Sequence, residues 1–114
     1  MLGAVQYEEL PAISRAEYAV ASQSDSADEV AAAILRLALH DPDFEFVDSV
    51  CREQSESESL AVRRAAVLSL GYLARRTGRA SDASRTRLRE LASDTTLAGA
   101  ASDAIDDITT FASS

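Results

Sequence analysis

The sequence predicts an all-α protein, a short α-solenoid of about three antiparallel helix pairs, and three observations carry that expectation. Signals that start helices recur at short intervals along the chain. The composition is 46% hydrophobic but only 5% aromatic, with no Trp, so the core is built from Ala, Leu, Val and Ile and favours close-packed helices over sheets. Lastly, the stretch from Leu60 to Arg76 is apolar around most of a helical circumference, which requires cover on several sides. A chain of 114 residues suffices for one core, so 1–114 is read as one domain with 1–10 as a lead-in.

The elements follow in order. Ser14-Arg15-Ala16-Glu17 and Ser26-Ala27-Asp28-Glu29 each fit a capping box, in which Ser accepts from a backbone N–H and Glu reaches back, and they open helices over 15–22 and 27–40. Asp41-Pro42 reads as a cap followed by Pro at the first helical position, opening 42–54. Its apolar face carries Phe44, Phe46, Val47, Val50 and Cys51, opposite Glu45, Asp48, Ser49, Arg52 and Glu53. Ser59 opens 60–76, where only a strip at Arg64, Gly71 and Arg75 lacks apolar side chains, and Gly78 stops it. Ser81 or Asp82 caps 83–93. Asp94 to Thr96 caps 97–111, which sets Leu97, Ala100, Ala101, Ala104, Ile105, Ile108 and Phe111 against Ser102, Asp103, Asp106, Asp107, Thr109 and Thr110. Short links make successive helices antiparallel neighbours, giving three hairpins, with Tyr7 and Leu10 expected against the first. Stacked pairs bury their faces only against each other, which is the logic of a solenoid.

Charge and composition exclude several functions. The net charge of −8 disfavours nucleic acid and anionic lipid as partners. The charge is uneven: residues 1–60 hold thirteen acids and three Arg, a balance of −10, and residues 61–114 hold six acids and eight Arg, a balance of +2. The acidic half is suited either to plain solvation or to a basic protein partner. No run reaches the roughly 18 apolar residues of a membrane span, and no signal-peptide order is present, so a soluble, cytoplasmic protein is expected. All basic residues are Arg, and Lys and Asn are absent, a bias expected of a GC-rich bacterial genome.

The residues Ala61-Val62-Arg63-Arg64-Ala65-Ala66 resemble the Val-Arg-x-x-Ala core of HEAT repeats. Three longer segments extend the resemblance over residues 10–112. These are Leu37-Ala38-Leu39-His40-Asp41-Pro42-Asp43-Phe44-Glu45-Phe46-Val47, then Leu70-Gly71-Tyr72-Leu73-Ala74-Arg75, then Asp103-Ala104-Ile105-Asp106-Asp107-Ile108-Thr109-Thr110-Phe111. In this order they resemble small bacterial HEAT-like proteins associated with immunity in polymorphic and contact-dependent toxin systems. The resemblance implies a right-handed HEAT-like solenoid and an immunity protein that occludes the active surface of a cognate, basic toxin domain. It also implies an Arg63 paired with an Asp of an adjacent repeat. Two departures stand out: the family pattern has Trp-Arg-Trp at Phe44-Glu45-Phe46 and His at Tyr72, so the charge at Glu45 is inverted and the partner need not be shared. The alternative reading is a general HEAT-like adaptor or regulatory subunit.

An enzyme needs convergent groups. One His, one Cys and four Gly without a phosphate loop offer no catalytic set, no metal site and no cofactor site, so no enzyme is expected. Cys51 reads as a small buried apolar group, and His40 as a charge complementing its helix end. Glu29, Arg36 and His40 share one polar stripe and fit simple solvation. The candidate partner-binding residues are Asp41, Asp43, Glu45, Phe46 and Asp48 on the third helix and Asp103, Asp106 and Asp107 on the last. Asp41 and Asp43 already complement a helix dipole, Asp48 can pair with Arg52, and Asp107 and its neighbours can pair with the Arg75–Arg89 segment. Glu45, which lacks an obvious local role, is the leading single contact, with Phe46 as an anchor.

Overall fold

The structure, a computed structural model, describes residues 10–113, and Tyr7 lies outside them. Among the described residues the fold is six α-helices with no strand: α1 (Arg15–Ala21), α2 (Ala27–His40), α3 (Phe44–Gln54), α4 (Leu60–Thr77), α5 (Asp82–Leu91) and α6 (Ala98–Phe111). Ser14 and Glu17 complete a capping box on α1, and Ser26, Ser59 and Ser81 each accept the N–H three residues on. At Ser26 the reciprocal half is replaced, because the Glu29 carboxylate accepts from Ser24 Oγ. Gly78 ends α4 at φ 71°, the left-handed conformation that favours glycine. Asp94 takes the place of a conventional cap for α6, accepting from the N–H groups of Thr96 and Leu97 and from the Thr96 hydroxyl.

One boundary differs from the sequence reading. The cap of α3 is Asp43, which accepts from Phe46 N–H, whereas Asp41 ends α2 and accepts from Asp43 N–H. Helix α3 therefore starts two residues later than Asp41-Pro42 suggests, because the Asp41 side chain is spent on the turn between helices.

Helix α4 is the centre. It packs on α2, α3 and α6, and Val62, Ala65, Ala66, Val67, Leu70, Leu73 and Ala74 are all buried. Burial of these side chains against three neighbours is what its all-round apolar sequence demands. Gly71, read from sequence as part of a bare strip, is instead buried: an added Cβ would lie 2.7 Å from Asp107 Oδ2 and 3.0 Å from Ala104 Cα. The missing side chain lets α6 close directly on α4. Adjacent pairs α1 with α2, α3 with α4 and α5 with α6 are in contact, and the molecule measures 32 × 30 × 30 Å.

Arginines tie the layers together. Arg36 donates to the carbonyls of Pro11 and Ala12, and His40 Nε2 contacts the Leu10 carbonyl, so both residues clamp the chain entering α1. This corrects the expectation that their stripe is merely solvated. Arg76 donates to the carbonyls of Ala38 and Asp41 and so closes the C-terminus of α2 from α4.

Candidate functional site

The eight acidic and aromatic candidates divide once their partners are placed. Asp43 caps α3 and is ion-paired with Arg15. The Phe46 N–H it accepts, ahead of the Arg15 charge, holds its carboxyl below the usual carboxylate range. Phe46 is half-buried, with the Arg15 guanidinium 3.9 Å above its ring and Tyr18 edge-on at 6.4 Å. Glu45 is highly exposed and reaches Arg79 at 3.2 Å, while Arg79 also stacks 4.1 Å above Phe44. An exposed pair of this kind contributes at most about 1 kcal/mol, so Glu45 has a local partner without being held by it.

Asp48 is different. It is buried, paired with Arg52 one turn on as its spacing predicts, and its other oxygen accepts from Ser84 Oγ of α5 at 2.7 Å. With both oxygens engaged inside the fold, Asp48 cannot face a partner, which corrects its inclusion among the contact residues. Asp41 is half-buried and occupied with the α2–α3 turn.

On α6, Asp107 pairs with Arg75 at 3.1 Å, and Arg75 also lies 5.5 Å from the Phe111 ring. Asp103 and Asp106 are exposed, and among the described residues neither takes part in an ion pair within 4 Å. Asp103, Asp106 and Asp107 line a groove of about 350 Å³ with Leu68, Tyr72 and Arg75 of α4. A second groove, about 240 Å³, runs between α2 and α4 along Ala31, Leu35, Ala61, Arg64, Ala65 and Leu68. Leu68 borders both.

The lone thiol and imidazole have structural placements. Cys51 is fully buried, and burial pushes its thiol pKa well above the usual range, so it stays protonated and unreactive in the folded state. His40 is taken up by the lead-in carbonyl. Arg63 is half-buried and close enough to Asp94 for its charge to help lower that carboxyl, behind the hydrogen bonds from Thr96 and Leu97, but among the described residues it forms no ion pair within 4 Å and its Nε is buried without a hydrogen bond. The expected Arg63–Asp pair between repeats is thus present only as proximity.

No protein-family model and no curated protein matches the chain. Among solved structures it is similar to a chain in the crystal structure of a CDI complex from Cupriavidus taiwanensis. The TM-score is 0.82 and the identity 30%, over 95% of this chain and 98% of that one. The chain belongs to the same family as that CDI-complex component. Coverage this complete on both sides means the six-helix arrangement is shared nearly end to end with the CDI-complex relative.

Sequence reasoning missed two parts of the surface that the CDI-family fold assembles. The α2–α4 groove brings Ala31 and Ala61, thirty residues apart, to one lining, and nothing local to either residue signals the other. The α4–α6 groove depends on Gly71, whose place on the helical wheel was visible but whose close contact with Ala104 was not.

Proposed function

We propose that this chain is an immunity protein, which binds a cognate toxin domain and neutralises it by covering the toxin's active surface. The observation that carries the reading is the match, over nearly the full length of both chains, to a component of a CDI complex, a contact-dependent inhibition assembly. Three further features support it. The net charge of −8 suits a basic partner. Exposed carboxylates on α3 and α6 offer contact points. The single thiol and single imidazole are taken up by the fold, which accords with action by binding and without catalysis.

In this reading the three hairpins are HEAT-like repeats wound as a short right-handed solenoid, with α4 as the wrapped middle layer, and the protein acts in the cytoplasm. None of the helices among the described residues is long and apolar enough to cross a membrane. The test is co-expression with the toxin domain encoded by the neighbouring gene. A stable complex on size exclusion and restored growth of the expressing cells are the expected results. Failure to bind together with failure to rescue growth would sink the proposal.

A further inference from the structure

Two grooves meet at Leu68, which lines both, and lie end to end as a channel along one side of α4, beside α2 at one end and α6 at the other. Between Ala61 and Arg75 this channel follows fourteen residue steps of helix, about 21 Å at 1.5 Å per residue, or about four helical turns. Its two halves differ in chemistry. The α2–α4 half is mostly apolar, lined by the small Ala31, Ala61 and Ala65 with Leu35 and Leu68, and Arg64 is its one charged residue. The α4–α6 half is acidic, since Arg75 is matched by Asp107 and leaves the Asp103 and Asp106 carboxylates facing outward.

The acids of α3 are in a different condition. Asp43 is held by Arg15, Asp48 by Arg52 and Ser84, and Glu45 is reached by Arg79. Over α3 the exposed acids Asp43 and Glu45 each already have an arginine beside them, pairs that cost a partner at most about 1 kcal/mol each to displace. Over α4 a partner meets the exposed carboxylates of Asp103 and Asp106, in no ion pair among the described residues, beside accessible apolar surface, a pairing in which charge steers and apolar burial retains.

From this we infer that the α2–α4–α6 channel is the toxin-binding face, and that its occupant is an amphipathic helix of the toxin domain. This rests on the immunity reading above. The occupant's apolar ridge lies in the small-residue half, where a helix can approach closely. Its Arg or Lys residues reach Asp103 and Asp106 about two to three turns further along. Arg64, exposed on the rim of the apolar half, selects for an acidic residue of the occupant on that side. The occupant therefore carries an acidic end and a basic end in a fixed polarity.

The probe is the neighbouring gene's toxin domain, catalytically inactivated and titrated calorimetrically into the full chain. Ala61→Trp fills the exposed apolar half, and the double change Asp103→Arg with Asp106→Arg reverses the acidic half. Each is expected to weaken binding by about tenfold or more, whereas Glu45→Arg on α3 stays within about threefold of the native chain. Far-UV circular dichroism melts confirm that each variant is folded, and Asp103→Asn with Asp106→Asn serves as the milder pair if the reversal disturbs α6. Native affinity in the channel variants, or a loss confined to Glu45→Arg, overturns the channel while leaving the immunity reading intact. No binding by the native chain overturns both.

Discussion

A carboxylate can be exposed, paired or buried, and the three conditions give three different responses to mutation. Asp48 shows the last. It is 2% exposed, with one oxygen paired to Arg52 and the other accepting from the Ser84 hydroxyl, itself 1% exposed. Removing the carboxylate leaves that hydroxyl buried without its acceptor and Arg52 without its counter-charge. Asp48→Ala is therefore expected to destabilise by about 1–3 kcal/mol in urea titration, a cost set mainly by the unsatisfied groups left behind. A change below a few tenths of a kcal/mol would show that solvent reaches Ser84 and that the pair is not buried in solution. Glu45 sits at the other extreme, so exposed beside Arg79 that its loss should hardly register in the same measurement. The sequence separates them only by the Arg52 one turn after Asp48, and the burial of Asp48 depends on α5, which brings Ser84 from 36 residues away.

At the scale of elements, local chemistry fixes most of what is seen. Serine hydroxyls at positions 14, 26, 59 and 81 and the left-handed Gly78 mark five helix ends, and each acts through neighbours within four residues. Such signals are legible in sequence because the partners are close in the chain. The start of α3 lies two residues beyond the point that Asp41-Pro42 marks, because Asp41 and Asp43 are equally good local caps and Arg76 holds the Asp41 carbonyl at the end of α2. Gly71 is the clearest long-range case. Its value lies in the absence of a Cβ where Ala104 of α6 arrives, and Gly71→Val would force α4 and α6 apart. We expect that variant to lose about 1–3 kcal/mol despite the removal of a flexible glycine from a helix, with Gly71→Ala less affected because helix propensity offsets part of the contact. Thermal unfolding followed by circular dichroism measures both. Equal or raised stability for Gly71→Val would mean that the two helices are further apart than the structure places them.

For the whole molecule, the division of charge between the two halves has an internal use. Arg76, Arg79 and Arg87 from the basic half reach back to α2, to Glu45 and to Ser55 at the end of α3, so the C-terminal helices are fastened to the acidic N-terminal ones. Helix α4 completes the fastening by packing on α2, α3 and α6 at once. A long array of repeats can unfold piece by piece because each repeat contacts only its neighbours. Here α4 packs on α2, α3 and α6 together, so these helices should be lost together. Leu70, 3% exposed on α4, tests this. Leu70→Ala should cost about 2–5 kcal/mol as a core truncation. Far-UV circular dichroism and tyrosine fluorescence, which is readable because the chain has no Trp, should then shift to lower urea by the same amount and remain superimposed. If the two curves separate, with helicity outlasting the tyrosine signal, one hairpin stands without the central helix and α4 is not the element that makes the fold cooperative. A single displaced transition would mean that α2, α3 and α6 lose their order together with the central helix that they all pack on.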